Sequence, residues 1–296
     1  MVLEFKNINK SFGEKKVLTD VSFKAESGRA FGLLGRNGAG KTTSIRILMN
    51  VFPSDSGEVL LDGKPLDYDK ISFGYLPEER GLYPKKKILD QLVYFAELKG
   101  MNKKDAVKAI DYWLERLEMT EYRNRRLDTL SKGNQQKIQL ITALAHEPDI
   151  VILDEPFSGL DPVNARLLKD VVNEVVKKGK IVLFSSHQMN YIEEFCDSIA
   201  ILGGGKVALT GDLKSIKRNY PRNRLILTSA DNEQISKDYS DKCVPLENGS
   251  FIFTLDSEND KRPVMAELAE KYDIDEIRVY EPSLNDIFID YAEENL

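Results

Sequence analysis

A glycine-rich segment that ends in a lysine and two threonines is the strongest chemical signal in the sequence. Residues 35–43 read GRNGAGKTT, which has the spacing G-x-x-x-x-G-K-[ST] of a phosphate-binding loop. Glycines let backbone N–H groups approach phosphate oxygens, the lysine can reach the β- and γ-phosphates, and the Thr42 hydroxyl can bind Mg²⁺. The segment therefore predicts a site for a nucleoside triphosphate with Mg²⁺. We assign the nucleotide contacts to Gly35, Arg36, Asn37, Gly38, Ala39, Gly40, Lys41, Thr42 and Thr43.

Two adjacent acidic residues follow a short apolar run further along the chain. Asp154 and Glu155 come directly after Ile150–Leu153, a continuous run typical of a strand that is buried on both faces. Ligands of parallel sheets bind at the carboxyl ends of the strands, so Asp154 is placed to hold Mg²⁺, directly or through a water. Glu155 could polarise an attacking water as a general base. An isolated Asp-Glu pair is more often a solvated turn, but the phosphate-binding loop upstream favours the catalytic interpretation.

Three further polar segments could complete a phosphate site. Ser131 and Gly133 precede a predicted helix, whose N-terminus would form a second anion site unless this segment is only a polar loop with a helix cap. The segment 158–161, SGLD, follows the acidic pair closely. His187 follows the buried run Ile181–Phe184, which would place it at the same sheet edge, where it could hydrogen-bond a γ-phosphate oxygen.

These residues need a framework of strands and helices to position them. Short apolar runs bounded by turns predict strands at Val2–Ile8, Val21–Ala25, Arg29–Leu34, Glu58–Leu61, Ser72–Leu76, Ile150–Leu153 and Ile181–Phe184. Helical spacing of apolar residues predicts helices at Lys41–Asn50, within Ile88–Tyr122, and at Asn134–Glu147, Val163–Lys178 and Met189–Phe195. The alternation of strand and helix after residue 150 indicates a parallel sheet.

The pattern changes near residue 220, where the sequence reads YPR. Beyond it we predict strands at Arg224–Thr228, Phe251–Leu255 and Glu276–Tyr280, and helices at Pro263–Lys271 and Leu284–Ala292. About 75 residues suffice for a small α+β domain. The sequence therefore predicts two domains, 1–220 and 221–296, with a helical subdomain at about 88–147 inside the first.

The composition excludes several classes of protein. The 296 residues are 42% hydrophobic, which allows a sizeable core, and their formal net charge of −6 argues against a protein that coats nucleic acid. Two cysteines and two histidines are too few for a disulfide framework or a zinc cluster. No apolar run reaches the ~18 residues needed to cross a bilayer, and Glu4 and Lys6 interrupt the stretch where a signal peptide would be apolar. We expect a soluble protein of a reducing compartment.

In their order, these motifs resemble the ATP-binding subunit of an ABC transporter over about residues 1–220. GRNGAGKT is similar to the Walker A segment, IVILDE to Walker B, LSKGN to the ABC signature, SGLD to the D-loop, and His187 to the switch histidine. Phe12 lies where the family places the aromatic residue that stacks on adenine; its other interpretation is ordinary core packing. The resemblance implies an α/β fold, a P-loop NTPase of ABC type with a mainly parallel sheet core, an N-terminal antiparallel β subdomain and a helical subdomain. A small C-terminal α+β domain would follow it.

Two segments depart from the usual pattern of the family. The signature is usually LSGGQ, whereas here Lys132 replaces its first glycine and Asn134 replaces its glutamine. The Q-loop glutamine appears as Glu78, which can still bind Mg²⁺ and orient a water but adds a negative charge near the phosphates. With the tail EPSLNDIF at 281–288, these departures resemble bacterial and archaeal exporters of the sodium-efflux and drug-resistance type. In that branch the ATPase is a separate chain with a short C-terminal extension.

The resemblance also implies how the subunit would assemble around its cofactors, ATP and Mg²⁺. A head-to-tail homodimer, or a pseudo-dimer with a second ATP-binding subunit, would hold two ATP molecules at its interface. Each ATP would contact the P-loop of one subunit and the signature of the other, with catalytic roles for Glu155, Glu78 and His187. The remaining nucleotide contacts assigned by resemblance are Phe12, Ser131, Gly133, Asn134 and Asp161. Mg²⁺ would be held by Thr42, Asp154 and Glu78.

The implied partner is a separate polytopic membrane permease. It would dock on residues 79–99, which include Arg80 and the run Lys85–Lys87, although such a basic run is equally typical of a solvated surface. The chain would then be cytoplasmic and peripheral at the inner face of the membrane, with no nucleic acid bound.

Two other classes compete with this interpretation. An ABC-type ATPase of the translation type usually carries two cassettes in one chain, whereas this sequence shows one. The repair and chromosome types carry a long coiled coil between Walker A and the signature, whereas the stretch from Thr42 to Leu130 has fewer than about ninety residues and no sustained heptads. A P-loop kinase would need neither the LSKGN segment nor His187. We therefore favour the transport ATPase.

Overall fold

Short strands and helices alternate along the first part of the chain. The computed structural model describes residues 1–79, 81–246 and 249–293. The strands up to residue 213 are β1 (Val2–Phe12), β2 (Lys15–Glu26), β3 (Ala30–Gly35), β4 (Ser56–Leu61), β5 (Lys64–Pro65), β6 (Phe73–Leu76), β7 (Ile150–Asp154), β8 (Ile181–Ser186), β9 (Ser198–Gly203) and β10 (Lys206–Asp212). The helices are α1 (Lys41–Leu48), α2 (Ile88–Leu98), α3 (Lys103–Arg116), α4 (Lys132–Leu144), α5 (Pro162–Lys177) and α6 (Met189–Phe195).

The central sheet is mainly parallel, as predicted. Its strands lie in the order β10, β9, β3, β8, β7 and β6, and β10 is antiparallel to β9 whereas the other neighbours are parallel. Every residue of β3, β7 and β8 is buried, which is why these strands consist of continuous apolar runs. Leu34 pairs with Ser186, and Asp154 pairs with Ser185. The register therefore brings the segments that follow β3, β7 and β8 to one edge of the sheet.

An antiparallel sheet with the strand order β2, β1, β4 and β5 packs on this core. Along β1 and β2, buried and more exposed side chains alternate, because one face of the sheet packs on the core and the other faces solvent. The ring of Phe23 stacks on Phe5 at 4.4 Å and on Phe31 of β3 at 5.2 Å, measured between centroids. This aromatic stack joins the two sheets in one hydrophobic core.

Helices α2, α3 and α4 form the predicted helical region. Helix α2 ends before Gly100, which has a φ of +89° that favours glycine. Helix α3 then starts at an N-cap, because the side chain of Asn102 accepts a hydrogen bond from the backbone N–H of Asp105. The pattern over Ile88–Tyr122 therefore corresponds to two helices and a short 3₁₀ turn, Thr120–Tyr122.

The chain divides into two compact units. One contains Met1–Leu213 with the described residues from Phe288 onward, and the other contains Lys214–Ile287. The last elements of the chain are α7 (Leu213–Asn219), β11 (Arg224–Ser229), α8 (Asn232–Asp238), β12 (Cys243–Pro245), β13 (Phe251–Thr254), α9 (Lys261–Lys271), β14 (Ile274–Val279) and α10 (Leu284–Glu293). The second unit is an antiparallel sheet, ordered β12, β13, β11, β14, whose core includes residues of α8 and α9. Within the described ranges, no helix combines the length and the apolar character that a membrane span requires.

Candidate functional site

A cavity of about 430 Å³ opens at the carboxyl edge of the central sheet. It brings together the glycine-rich loop, the acidic pair after β7, the histidine after β8 and the glutamate that follows β6. Its walls are formed by Lys15, Val17, Arg36, Asn37, Gly38, Gly40, Lys41, Thr42, Thr43, Glu78, Asp154, Glu155 and His187. Segments separated by up to about 150 residues in sequence therefore meet because they follow neighbouring parallel strands.

The glycine-rich loop leads directly into the N-terminus of α1. Gly40 is the N-cap residue with a φ of +107°, and no side chain caps the helix there. A Cβ at Gly40 would lie 2.4 Å from Leu18 Cδ2 and 3.2 Å from the Val17 carbonyl oxygen, and the positive φ would strain any other residue, so the position favours glycine. The first backbone N–H groups of a helix have no partner within the helix, and the helix dipole adds partial positive charge. The loop is thus built to receive an anion.

Lys41 lies at the inner wall of the cavity. Its Nζ donates hydrogen bonds to the carbonyl oxygens of Gly35 at 2.6 Å and Arg36 at 3.3 Å. Burial lowers the pKa of Lys41 from its ordinary value, whereas the charges of Glu155, Asp154 and Glu78 act in the opposite direction. The ammonium group is therefore surrounded by acceptors, and phosphate oxygens would be stronger partners than the two carbonyls.

Glu155 is held in one position by three hydrogen bonds. Ser186 Oγ donates to Oε2 at 2.8 Å, and the backbone N–H of His187 donates to Oε1 at 2.9 Å. His187 Nδ1 also lies 2.7 Å from Oε1. Glu155 is only 5% exposed, and its φ of +48° is unusual for a residue other than glycine. A strained, buried and fixed carboxylate next to a phosphate loop is typical of a functional group.

The contact with Glu155 determines what His187 can do in the cavity. An ionised carboxylate only accepts hydrogen bonds, so Nδ1 of His187 carries the proton in this contact. In a neutral imidazole, Nε2 is then an acceptor. His187 can therefore donate to a phosphate oxygen through Nε2 only as an imidazolium, or after it leaves Glu155.

The donors predicted for Mg²⁺ lie together and suit that ion. Asp154 is 5% exposed, and its Oδ2 accepts a 3.4 Å hydrogen bond from the Tyr75 hydroxyl. Burial raises the pKa of Asp154, and the negative charges of Glu78 and Glu155 raise it further. A cation near Asp154 would relieve both effects. Thr42 and Glu78 line the same cavity.

This donor set fits Mg²⁺ that arrives with phosphate ligands. The described part of the chain has no group of three or more His, Cys, Asp or Glu side chains arranged around a metal position. Mg²⁺ usually keeps several waters and binds one or two carboxylates together with substrate phosphates, so it does not need a closed protein cage.

Several predicted nucleotide contacts are not among the residues that line this cavity. Ser131 accepts a 3.3 Å hydrogen bond from the backbone N–H of Asn134, and thereby caps α4. A Cβ at Gly133 would lie 3.5 Å from the carbonyl oxygen of Gly159, so the signature and the D-loop are neighbours. Asp161 caps α5 by accepting from the backbone N–H of Asn164 at 2.9 Å. The other predicted contacts outside the cavity lining are Phe12, Gly35 and Ala39.

Phe12 is not a core residue, because it is 50% exposed. Its ring meets the edge of Phe52 at 5.4 Å with an interplanar angle of 89°. Lys10 Nζ also lies over the Phe12 ring, 5.6 Å from its centroid. A planar ligand would therefore stack on the part of the ring that Lys10 and Phe52 leave uncovered. Arg80 lies outside the described residues, whereas Lys85, Lys86 and Lys87 are exposed just before α2.

Sequence reasoning missed Lys15, Val17, Ser186 and Tyr75 as parts of the site. Lys15 pairs directly with Phe12 across the turn between β1 and β2. The two-residue turn Gly13–Glu14 could have identified Lys15 from the sequence. Such a turn pairs Lys15 with Phe12, and a residue paired with a predicted adenine contact must also lie near the nucleotide. Ser186 and Tyr75 carry no motif, and only the register of the central sheet reveals them.

Comparison with known proteins identifies the family of the chain. Residues 18–158 match the family model of the ABC transporter, and residues 211–292 match that of the ATP-binding protein DrrA1-3-like C-terminal domain. YhaQ of Bacillus subtilis, an uncharacterised ABC transporter ATP-binding protein, is 42% identical over 291 residues, 98% of each chain. This chain belongs to the ABC transporter ATP-binding proteins.

Further relatives of this ABC ATP-binding protein extend the likeness. The Nod factor export ATP-binding protein I of Burkholderia lata is 30% identical over 213 residues, 71% of this chain and 70% of the relative. A solved ATP-binding subunit of an ABC transporter superposes with a TM-score of 0.68 at 31% identity, covering 74% of this chain and 93% of the other. The predicted family, the fold class and the ATPase activity of the family are thereby confirmed.

Proposed function

We propose that this chain is the ATP-hydrolysing subunit of an exporter, which dimerises around two Mg-ATP and drives a separate membrane permease. The observation that carries the proposal is the shared cavity. It joins an anion-binding loop, a buried acidic pair and a histidine, which are the groups that phosphoryl transfer to water requires.

Each side chain then has a defined task at the cavity. The loop of residues 35–43 and Lys41 would bind the phosphates, while Thr42, Asp154 and Glu78 would hold Mg²⁺, which neutralises charge that develops on the phosphates. Glu155 would accept a proton from the water that attacks the γ-phosphorus as the bond to ADP breaks. The Glu155 carboxylate accepts two hydrogen bonds at Oε1 and one at Oε2, so a lone pair of Oε2 is left to accept from the water.

The signature residues support a dimer. Ser131, Gly133 and Asn134 lie at the start of α4 and are absent from the lining of the cavity in their own chain. They would instead contact the ATP held by the loop of a second subunit, where the N-terminus of α4 offers backbone N–H groups to the γ-phosphate. Asp161 would shape the same interface through the cap that it gives to α5.

A surface groove supports a permease partner. A cavity of about 300 Å³ is lined by Tyr75, Pro77, Gly81, Leu82, Phe95, Leu98, Lys99, Gln139, Thr142 and His146. Leu98 of this lining is more than half exposed, as is Tyr83, and Tyr94 is half exposed. The rings of Tyr83 and Tyr94 contact Phe95 of the lining, and such a cluster of large apolar side chains is typical of a protein-binding surface. Lys85, Lys86 and Lys87 would then contact the permease rather than only solvent.

We also propose export, a membrane-peripheral location and the roles of the two domains. The name of the Nod factor export protein supports export, and a permease would hold the chain at the inner face of the membrane in the cytoplasm. We assign residues 1–220 to the ATP-binding domain, with its helical subdomain at about 88–147, and residues 221–296 to an accessory domain.

A pull-down with solubilised host membranes tests the proposal. The bait is the Glu155→Gln protein with ATP, and the matched control is the same protein without nucleotide. Recovery of one polytopic membrane protein only with ATP supports the transporter. Recovery of ribosomes or of DNA-bound proteins, without a permease, would instead establish the competing class of ATPase.

A further inference from the structure

Lys15 is a cation at the wall of the cavity to which the recognised motifs assign no role. Its side chain is exposed, and it lines the cavity together with Val17, opposite the glycine-rich loop. Among the residues that the structure describes, Lys15 has no ion-pair partner. A surface lysine is usually a solubilising group, so its position on the wall of a functional cavity requires an explanation.

The strand geometry directs Lys15 and its neighbour Lys16 to opposite faces. Side chains alternate along a strand, and Lys15 and Val17 both line the cavity whereas Lys16 does not. Lys15 pairs with Phe12 and Lys16 pairs with Ser11 in the antiparallel register of β1 and β2. Directly paired residues share a face, so Lys15 lies beside the proposed adenine platform.

The start of β2 is fixed against the glycine-rich loop. The carbonyl oxygen of Val17 lies 3.2 Å from the position of a Cβ on Gly40, and Leu18 Cδ2 lies 2.4 Å from it. The backbone N–H of Thr19 donates to the carbonyl oxygen of Gly205 at 2.8 Å. The backbone of Lys15 therefore has a defined place relative to the phosphate loop, while its long side chain can follow a ligand.

Around a bound nucleotide, negative charges would outnumber the positive ones in this cavity, even though Arg36 also lines it. Three carboxylates, Glu78, Asp154 and Glu155, line it, and they would lie near the phosphates of a bound nucleotide. Lys41 serves the inner end of the cavity, where its Nζ contacts the carbonyl oxygens of Gly35 and Arg36. Lys15 lies towards Phe12, at the other end of the path that a nucleotide would take from its base to its γ-phosphate.

We propose that Lys15 binds the polyphosphate of the nucleotide at its α-phosphate, through a charge-assisted hydrogen bond from Nζ. This inference rests on the proposed nucleotide site. Because ATP and ADP share the α-phosphate, the contact contributes equally to the binding of both. It is exposed, so salt weakens it.

Isothermal titration calorimetry with ATP and with ADP tests the inference. EDTA in the buffer prevents turnover and leaves the phosphate charges uncompensated. Lys15→Gln is expected to raise the Kd of both nucleotides by about fivefold at low salt and by less than about twofold at high salt. Lys15→Arg is expected to restore most of the affinity, because it keeps the charge.

Lys16→Gln is the matched control, since it removes the same charge one residue away on the other face of β2. The Kd of Lys16→Gln for ATP and for ADP is expected to stay near that of the wild type. If Lys15→Gln and Lys16→Gln lost the same affinity for nucleotide, the effect would come from the overall electrostatic potential and not from a contact with Lys15. That result would overturn the inference. So would an unchanged Kd in Lys15→Gln, or a loss for ATP without a loss for ADP. If the wild-type protein binds neither nucleotide, or if Lys41→Ala binds ATP as the wild type does, the nucleotide site itself is refuted.

Discussion

Replacing Glu155 by glutamine separates its proposed role as a base from its role in the fold. A glutamine has almost the same shape, and its carbonyl oxygen can accept the hydrogen bonds that His187 N–H now donates to Oε1 at 2.9 Å. Its amide N–H₂ can donate to Ser186 Oγ, which lies 2.8 Å from Oε2 and can act as an acceptor. No buried polar group is left without a partner, so we expect the free energy of unfolding to fall by less than about 1 kcal/mol.

The chemical step is expected to lose far more. An amide cannot accept the proton of the attacking water, and general bases contribute about 10²- to 10⁴-fold in rate, which corresponds to about 2.7 to 5.4 kcal/mol in the barrier. Glu155→Gln should therefore lower kcat of ATP hydrolysis by at least about a hundredfold. The Kd for ATP should change by less than about twofold, because binding uses the loop and Lys41.

Phosphate release, calorimetric binding of ATP and thermal unfolding of the same preparation measure these three quantities. Glu155→Ala is the useful contrast, since it leaves the Ser186 hydroxyl and the His187 N–H without their acceptor. Its unfolding free energy should fall by about 1 to 3 kcal/mol for each lost partner. A Glu155→Gln protein that hydrolyses ATP within about tenfold of the wild-type rate would refute the assignment of Glu155 as the base.

Three further substitutions test other parts of the site and of the second unit. Glu78→Gln removes a negative charge from the cavity wall, so metal-free ATP in EDTA should bind about two- to fivefold more tightly by calorimetry; Glu79→Gln, an exposed neighbour outside the cavity lining, should not change that Kd. Tyr75→Phe removes the hydroxyl that donates to Asp154, so the Mg²⁺ concentration for half-maximal ATPase activity should rise about threefold while the melting temperature stays within about 2 °C. Asp286→Asn should lower the melting temperature at pH 7, because burial would raise the pKa of Asp286 but hydrogen bonds from Ser283 and Tyr280 outweigh it and hold that pKa below its ordinary value. A lowered pKa of Asp286 stabilises the fold above about pH 3.9, and this stabilisation is lost as the pH falls further. The difference in melting temperature between the wild type and Asp286→Asn should therefore shrink in acid. A difference that grows in acid would contradict the lowered pKa.

Much of the catalytic edge could be predicted because it depends on local patterns. Ile150–Leu153 and Ile181–Phe184 are short continuous apolar runs between predicted helices, and such runs are typical of strands in a covered parallel sheet. The residues that follow them must then meet the glycine-rich loop at one edge. The structure brings Asp154, Glu155 and His187 together there as this argument requires.

What the sequence did not reveal depends on packing between distant segments. The prediction began the second strand at Val21, whereas β2 starts at Lys15 because it is held by pairing with β1 and by the Gly205 carbonyl. Two charged residues, Lys15 and Lys16, obscured the alternation at its start. The sequence analysis also missed the hairpin of β9 and β10 and the three-residue edge strand β12, which contains Pro245. These strands form because they pair with neighbouring strands, and local residue propensity does not predict that pairing.

The dimer is the central claim, and Gly133 offers a direct way to test it. A Cβ at Gly133 would meet its nearest neighbours, Gly159 O and Leu160 Cδ2, at 3.5 and 3.6 Å, which is ordinary contact, so the fold accepts a side chain there. In the proposed dimer, Gly133→Asp would place a carboxylate against the phosphates held by the second subunit, and the like charges would repel.

The decisive measurement is light scattering of the Glu155→Gln protein at saturating ATP and Mg²⁺, with and without Gly133→Asp. The monomer has a mass of 33.6 kDa. We predict that Glu155→Gln doubles its mass only when ATP is present, and that the added Gly133→Asp keeps it at the monomer mass while ATP binding and melting temperature are preserved. A Glu155→Gln protein that binds ATP yet stays monomeric, or a dimer that tolerates Gly133→Asp, would contradict the account.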